Sequence, residues 1–332
     1  EETQVGRFWR QEAEGFADTV YADVQGNSFA VLKGGALRVL LAGHIDEIGV
    51  MISHIDDKGF LWFRLIGGWD SQVLVGQRIR LVGKHGEVVG VVGKRPHYFL
   101  EEHEKQKKIK IKDLWIDIGV TSRQEAENLI DIGAVGVVDA PVLDLPNGRL
   151  VSRGIDDRIG AFTVLEALRL LSQKRTSVTV AAVATCQEEI GAAGAKVSAY
   201  SFDPQVALIV DVTYCTDHPD ADKRRNGDIR LGGGPVLTRG SANSPVLYDM
   251  LRAIAEENNI PCGLEVTPLR TGTDADVMHS ARSGIATACI SIPNRYMHSP
   301  NEMIQLRDVE NAAVLIAEFV RSLSEYTDFI PK

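Results

Sequence analysis

The sequence predicts an α/β fold interrupted by a small β-rich module. Three observations carry this. Residues 178–184, 206–210 and 286–292 are continuous apolar runs, the texture of strands buried on both faces as in parallel sheets. Segments of helical period accompany them: Ile159, Phe162, Leu165, Leu168 and Leu171 within 157–172, and Val309, Ala312, Ile316, Phe319, Val320 and Leu323 within 309–323. Between 67 and 146 the texture changes to short β runs with one short helix.

Taken in order, residues 28–32 precede the turn Lys33-Gly34-Gly35, and 38–41 run into Gly43-His44. Residues 48–54 and 60–66 read as a hairpin around Asp56-Asp57-Lys58-Gly59. The β-rich stretch offers runs at 77–82, 86–92, 108–114 and 134–138. Its helix is expected over 123–130, with Ser122 and Glu125 as a capping box and Gly133 beyond the end. Five lysines within 105–112 read as a solvated strand or loop. Ser244 caps a further helix that Pro245 opens. The first segment shares the buried-strand texture, so the division is one α/β domain from residues 1–66 and 147–332, split by an insertion at 67–146. No internal repeat is present.

Composition narrows the function classes. The 332 residues carry 36 Lys+Arg against 45 Asp+Glu, a net charge of −9. A chain this acidic lacks the basic face that phosphate neutralisation needs, so no nucleic-acid partner is expected. No window approaches the roughly 18 uninterrupted apolar residues of a membrane helix, so no membrane partner is expected either. The opening EETQVGRFWRQEAEG does not read as a signal peptide. Cys186, Cys215, Cys262 and Cys289 form no Cys-x-x-Cys pair and suggest free thiols in a reducing, cytoplasmic setting.

Four of the apolar runs lead to metal-capable side chains. The run at 38–41 leads to His44 and Asp46, that at 178–184 to Glu188 and Glu189, that at 206–210 to Asp211, and that at 286–292, after a short loop, to His298. Ligands of open α/β sheets gather outside the carboxyl ends of the strands, so distant residues can converge there. A fifth acidic group, Asp156-Asp157, opens a helix. Singly, each has an ordinary reading: a structural histidine, a helix N-terminus, a solvated turn. His279 also competes with His298. Together, mixed imidazole and carboxylate donors suit zinc, cobalt or manganese rather than calcium.

The sequence resembles a known family over nearly its whole length: the dinuclear-metal aminopeptidases of the glutamyl and leucyl type that assemble as tetrahedral dodecamers. The matching stretches are GHIDEIGVM at 43–51, GFLWFRLIGGWD at 59–70, SRGIDDRIGA at 152–161, QEEIGAAGAK at 187–196, VDVT at 210–213, TGTDAD at 271–276 and IPNRYMHSP at 292–300. The family's first helix and glycine-rich loop are expected to be absent or shortened here.

The resemblance implies a zinc-exopeptidase-like α/β/α catalytic domain with an inserted β-rich dimerisation domain. It implies His44, Asp156, Glu189, Asp211 and His298 as ligands of two divalent ions, zinc before cobalt or manganese, with Asp156 bridging. It implies Glu188 as general base and Asp46 as the residue that orients His44. The implied activity is removal of N-terminal residues from short peptides by a metal-bound hydroxide, in a homo-oligomer of dimers joined into a dodecamer. A related dinuclear deacylase or carboxypeptidase would use the same metals with another substrate clamp. A glycosidase using Glu188 and Glu189 would leave the nearby histidines unexplained.

Overall fold

The computed structural model describes residues 2–331. The strands β1 (Thr19–Ala22), β2 (Ser28–Leu32) and β3 (Arg38–His44) come first. Next come β4 (Gly49–Ile55), β5 (Leu61–Ile66), β6 (Arg78–Gly83), β7 (Gly86–Lys94), β8 (Leu114–Asp117) and β9 (Val135–Val138), which close into a barrel in the order β4-β5-β8-β7-β6-β9. β10 (Leu143–Leu145) and β11 (Arg149–Ser152) form a small sheet with β17 (Glu302–Gln305). β12 (Thr179–Thr185), β13 (Val206–Tyr214), β14 (Val236–Gly240), β15 (Gly263–Thr267) and β16 (Ala286–Asn294) complete an eight-stranded sheet ordered β1-β2-β12-β3-β13-β16-β14-β15.

The middle of that sheet, β12-β3-β13-β16, is parallel throughout, whereas β2 and β14 flank it antiparallel. Four carboxyl ends therefore emerge on one edge. One face packs on the helices Thr3–Ala13, Ile155–Gln173, Pro245–Glu257 and Leu306–Ser322, and the other on Ala193–Phe202 and Ala275–Met278. The expected α/β/α layering is thus observed. Contact is close where β3 meets the helix Ile155–Gln173: a Cβ at Gly43 would stand 2.4 Å from the Gly160 carbonyl carbon. Only glycine fits there, and the approach brings Asp156 and Asp157 beside His44.

The barrel has its own core, including Ile52, Leu61, Ile79, Leu81 and Ile116. It begins earlier than the sequence suggests. The hairpin at 48–66, assigned above to the main domain, supplies β4 and β5, which pair with β9 and β8. The barrel therefore takes in strands from 49–66 as well as those of the 67–146 stretch. An alternating hairpin reads the same whichever core it faces, so periodicity alone does not place it.

Three further details differ from the sequence reading. The N-terminus does form a helix, Thr3–Ala13, which buries Gly6, Trp9 and Ala13. Trp9 Nε1 donates to Ala161 O at 2.8 Å. Only three buried positions among charged neighbours gave a weak periodic signal. The β run expected at 108–114 begins instead at Leu114, after a 3-10 turn at Ile111–Asp113, because the buried pair that pins it to the barrel is Leu114 and Ile116. The capping box is altered too: Ser122 Oγ accepts from Glu125 N at 3.3 Å, but the Glu125 carboxylate accepts from Thr121 N at 2.8 Å. Among the described residues no helix is long and apolar enough to cross a membrane.

Candidate metal centre

His44 ends β3 and is buried, with Nε2 facing three carboxylates. Asp156 Oδ1 lies 3.2 Å away, Glu188 Oε2 3.8 Å and Asp211 Oδ1 4.0 Å. The other Asp156 oxygen lies 3.2 Å from His298 Nε2, and Glu189 Oε1 lies 3.4 Å from the same nitrogen. Two donor clusters result, His44–Asp156–Asp211 and Asp156–Glu189–His298, each with its ligand atoms within 4.8 Å of one another. Asp156 belongs to both. Every residue singled out above as a ligand is in this one place. His279 is not; its Nδ1 pairs with Ala275 O instead.

Asp46 touches His44 differently from the expectation. Its backbone carbonyl stands 3.2 Å from Nδ1, closer than its carboxylate at 3.5 Å. The carboxylate instead accepts from Glu188 N at 3.0 Å and Glu189 N at 3.1 Å. Asp46 therefore fixes the loop that carries both glutamates as well as the ring.

One positioning residue, Glu302, was missed by sequence reasoning, and a second, Asp157, was singled out only together with Asp156 as an acidic pair. Buried Glu302 accepts from Asp156 N at 3.0 Å and from His298 N at 2.9 Å, tying together two of the three residues of one cluster. It is in phase with buried Ile304 along β17, and that alternation was the available signal. Asp157 accepts from His44 N at 3.1 Å and Gly160 N at 3.0 Å. Its neighbour Asp156 supplies the oxygens that face His44 and His298. His298 itself adopts φ +59°, a conformation that is uncommon outside glycine and costs on the order of 1–3 kcal/mol. Its hydrogen bond to Glu302 helps to hold it there.

The cluster opens onto a cavity of about 390 Å³ whose described lining contains no lysine or arginine. Burial pushes the Glu188 carboxyl up to about 8, with Asp274 and other acids adding to the effect. Burial likewise raises Asp211 well above the usual carboxylate range. Beside Asp156 and Glu189, His298 rises to about 10. Burial disfavours a charged His44, but Asp156 and Asp46 outweigh it and raise that ring as well. So many acidic groups and two imidazoles gathered without a lysine or arginine in the described lining fit divalent metal ions, which would take the place of the protons these groups hold in the metal-free protein. Glu189 Oε1 fits them too: it is buried without a hydrogen-bond donor in bonding geometry.

A family model described as M42 glutamyl aminopeptidase matches residues 26–315. The chain belongs to the M42 family. It is a peptide hydrolase of aminopeptidase type, and M42 membership carries divalent metal ions with it. A lysyl aminopeptidase of Pyrococcus furiosus is 38% identical over 95% of this chain and 90% of its own length. A TET aminopeptidase from a marine sediment Thaumarchaeota archaeon superposes with a TM-score of 0.94 at 35% identity, covering 98% of this chain and 92% of that one. The TET1 peptidase of Pyrococcus horikoshii, described as assembling into a tetrahedron or a large octahedral shell, gives 0.86 at 32% identity, covering 97% and 94%. This chain shares the fold of that shell-forming peptidase.

The proton loads predict how the metal-free M42 chain responds to pH. Glu188 and Glu302 move from 4.5 to about 8, chiefly through burial, and His298 from 6.5 to about 10 beside Asp156 and Glu189. In each case the folded chain keeps a proton that the unfolded chain has released, so stability falls as pH rises through these windows. The melting temperature of chelator-treated protein should drop by at least about 5 °C between roughly pH 5 and 9. Excess divalent cation should reduce the drop, since metal takes the place of the protons. A melting temperature that rises over this range contradicts the assigned loads.

Proposed function

We propose that this centre holds two divalent ions and cleaves the first peptide bond of short peptides. The observation that carries it is the sharing of Asp156 by two clusters of ligand atoms. His44 and Asp211 complete one site; Glu189 and His298 complete the other. Zinc suits these donors, with cobalt or manganese as alternatives. When bound, such ions supply Lewis acidity toward a carbonyl oxygen and bring the pKa of a water down to about 7.

Glu188 is the general base of this reading. It faces His44 from within the cavity and belongs to neither ligand cluster. As a carboxylate beside the bound ions it would take a proton from the attacking water and give it to the departing amine. Asp46 keeps the Glu188 and Glu189 backbone in register, and Glu302 does the same for Asp156 and His298. An aminopeptidase needs the free α-amine, whereas a deacylase of the same architecture does not. With metal-loaded protein, aminoacyl-coumarin amides should be hydrolysed and their N-acetylated forms should not. Comparable turnover of the acetylated forms would favour the deacylase.

The barrel supplies none of these groups. On its outer surface Val82, Val89 and Val91 are about half exposed, and alternation places Val89 and Val91 on one face of β7. This face joins two chains in our reading, and dimers close into a dodecamer, as closed point groups favour. An internal site would admit only short or unfolded peptides. Light scattering should give about twelve times the 36.3 kDa of one chain; a monomer at all dilutions refutes the assembly.

A further inference from the structure

We infer that Glu265 selects peptides whose first residue is lysine or arginine, its carboxylate pairing with the cationic end of that side chain. The inference rests on the peptidase reading above and adds the substrate class. Glu265 lies on β15, the outermost strand of the main sheet, and lines the same cavity as the metal ligands. Its chain neighbours Leu264 and Val266 are exposed, while Glu265 is half-buried.

Two hydroxyls hold the carboxylate in place. Thr213 Oγ1 donates to Oε1 at 2.8 Å, and Thr238 Oγ1 donates to Oε2 at 3.4 Å. Thr213 stands two residues after Asp211 on β13, so both side chains lie on one face of that strand. The line from ligand Asp211 through Thr213 to Glu265 therefore runs along the cavity wall. Each carboxylate oxygen keeps a second lone pair for another donor.

No lysine or arginine among the described residues lines the cavity, so Glu265 has no counter-ion there. A lysyl or arginyl side chain supplies one. A glutamyl side chain meets a like charge, and a leucyl side chain partly covers a carboxylate without satisfying it. The selecting contact is a charge-assisted hydrogen bond, expected to discriminate by about 10- to 100-fold.

The test compares kcat/KM for lysyl, arginyl, leucyl and glutamyl coumarin amides with the full-length, metal-loaded protein. The lysyl and arginyl amides should exceed the leucyl by about 10-fold or more, with the glutamyl lowest. Glu265→Gln keeps the shape and an acceptor oxygen but loses the charge. It should lower the lysyl-to-leucyl ratio by about 10- to 100-fold, mainly through the lysyl KM. Glu265→Arg should move the preference toward the glutamyl amide. A wild type that prefers the leucyl or glutamyl amide overturns the inference and leaves the peptidase reading intact. An equal loss for all four amides in Glu265→Gln also overturns it, because the residue would then hold the α-ammonium or act only structurally. No turnover of any free-amine substrate removes the peptidase reading and the inference together.

Discussion

Glu188→Gln is expected to leave the metal content unchanged and to lower kcat by at least about 100-fold. The amide has almost the same shape as the carboxyl, so the Glu188 N–H bond to Asp46 and the fold of the loop persist. What disappears is the ability to store a proton. Burial raises Glu188 in the metal-free protein, and bound cations would return it to the carboxylate that a base must be. KM should change little, because the residue lies outside both ligand clusters. Metal analysis and steady-state kinetics on the same sample decide the matter. A loaded variant with near-normal kcat transfers the base role elsewhere.

Asp156→Ala should disturb both metal positions at once, whereas Asp211→Ala or Glu189→Ala should weaken one. Asp156 offers one oxygen toward His44 and the other toward His298, so its loss strips a donor from each cluster. Asp157 belongs to neither cluster, and its two oxygens accept from the backbone N–H groups of His44 and Gly160. Metal stoichiometry should fall well below that of either single-site variant, and activity should become undetectable. Circular dichroism should stay native-like, because three large apolar cores hold the fold. Two ions retained in Asp156→Ala would end its shared role.

Much of this architecture was legible because buried parallel strands read as unbroken apolar runs, and their carboxyl ends are where such folds collect ligands. His44 and Asp211 lie at or near the ends of such strands, and Glu188, Glu189 and His298 follow them in loops. Other features depended on tertiary contacts. The 48–66 hairpin carries an alternation that suits either the barrel or the main sheet, and only its pairing with β8 and β9 decides. The N-terminal helix exposes most of its residues, so its buried stripe of Gly6, Trp9 and Ala13 was faint. Glu302 works through two backbone N–H groups far away in sequence, a relation no local pattern announces. Glu265 likewise acquires meaning only when Thr213, from another strand, reaches it.

The strand order also sets when the site can come into existence. Arg38 on β3 pairs with Thr179 on β12, and the whole barrel lies between them in the chain. The donors themselves are spread from His44 to His298. Such contact order makes the central sheet slow to assemble, while the barrel can close from more local hairpins. No early intermediate holds a complete set of donors for a cation to grip. Metal binding is therefore expected to follow the rate-limiting step, and stopped-flow kinetics with added cation should show slower unfolding at a nearly constant refolding rate. Loading is in effect a test of completion, passed only by chains whose last parallel strand has already docked.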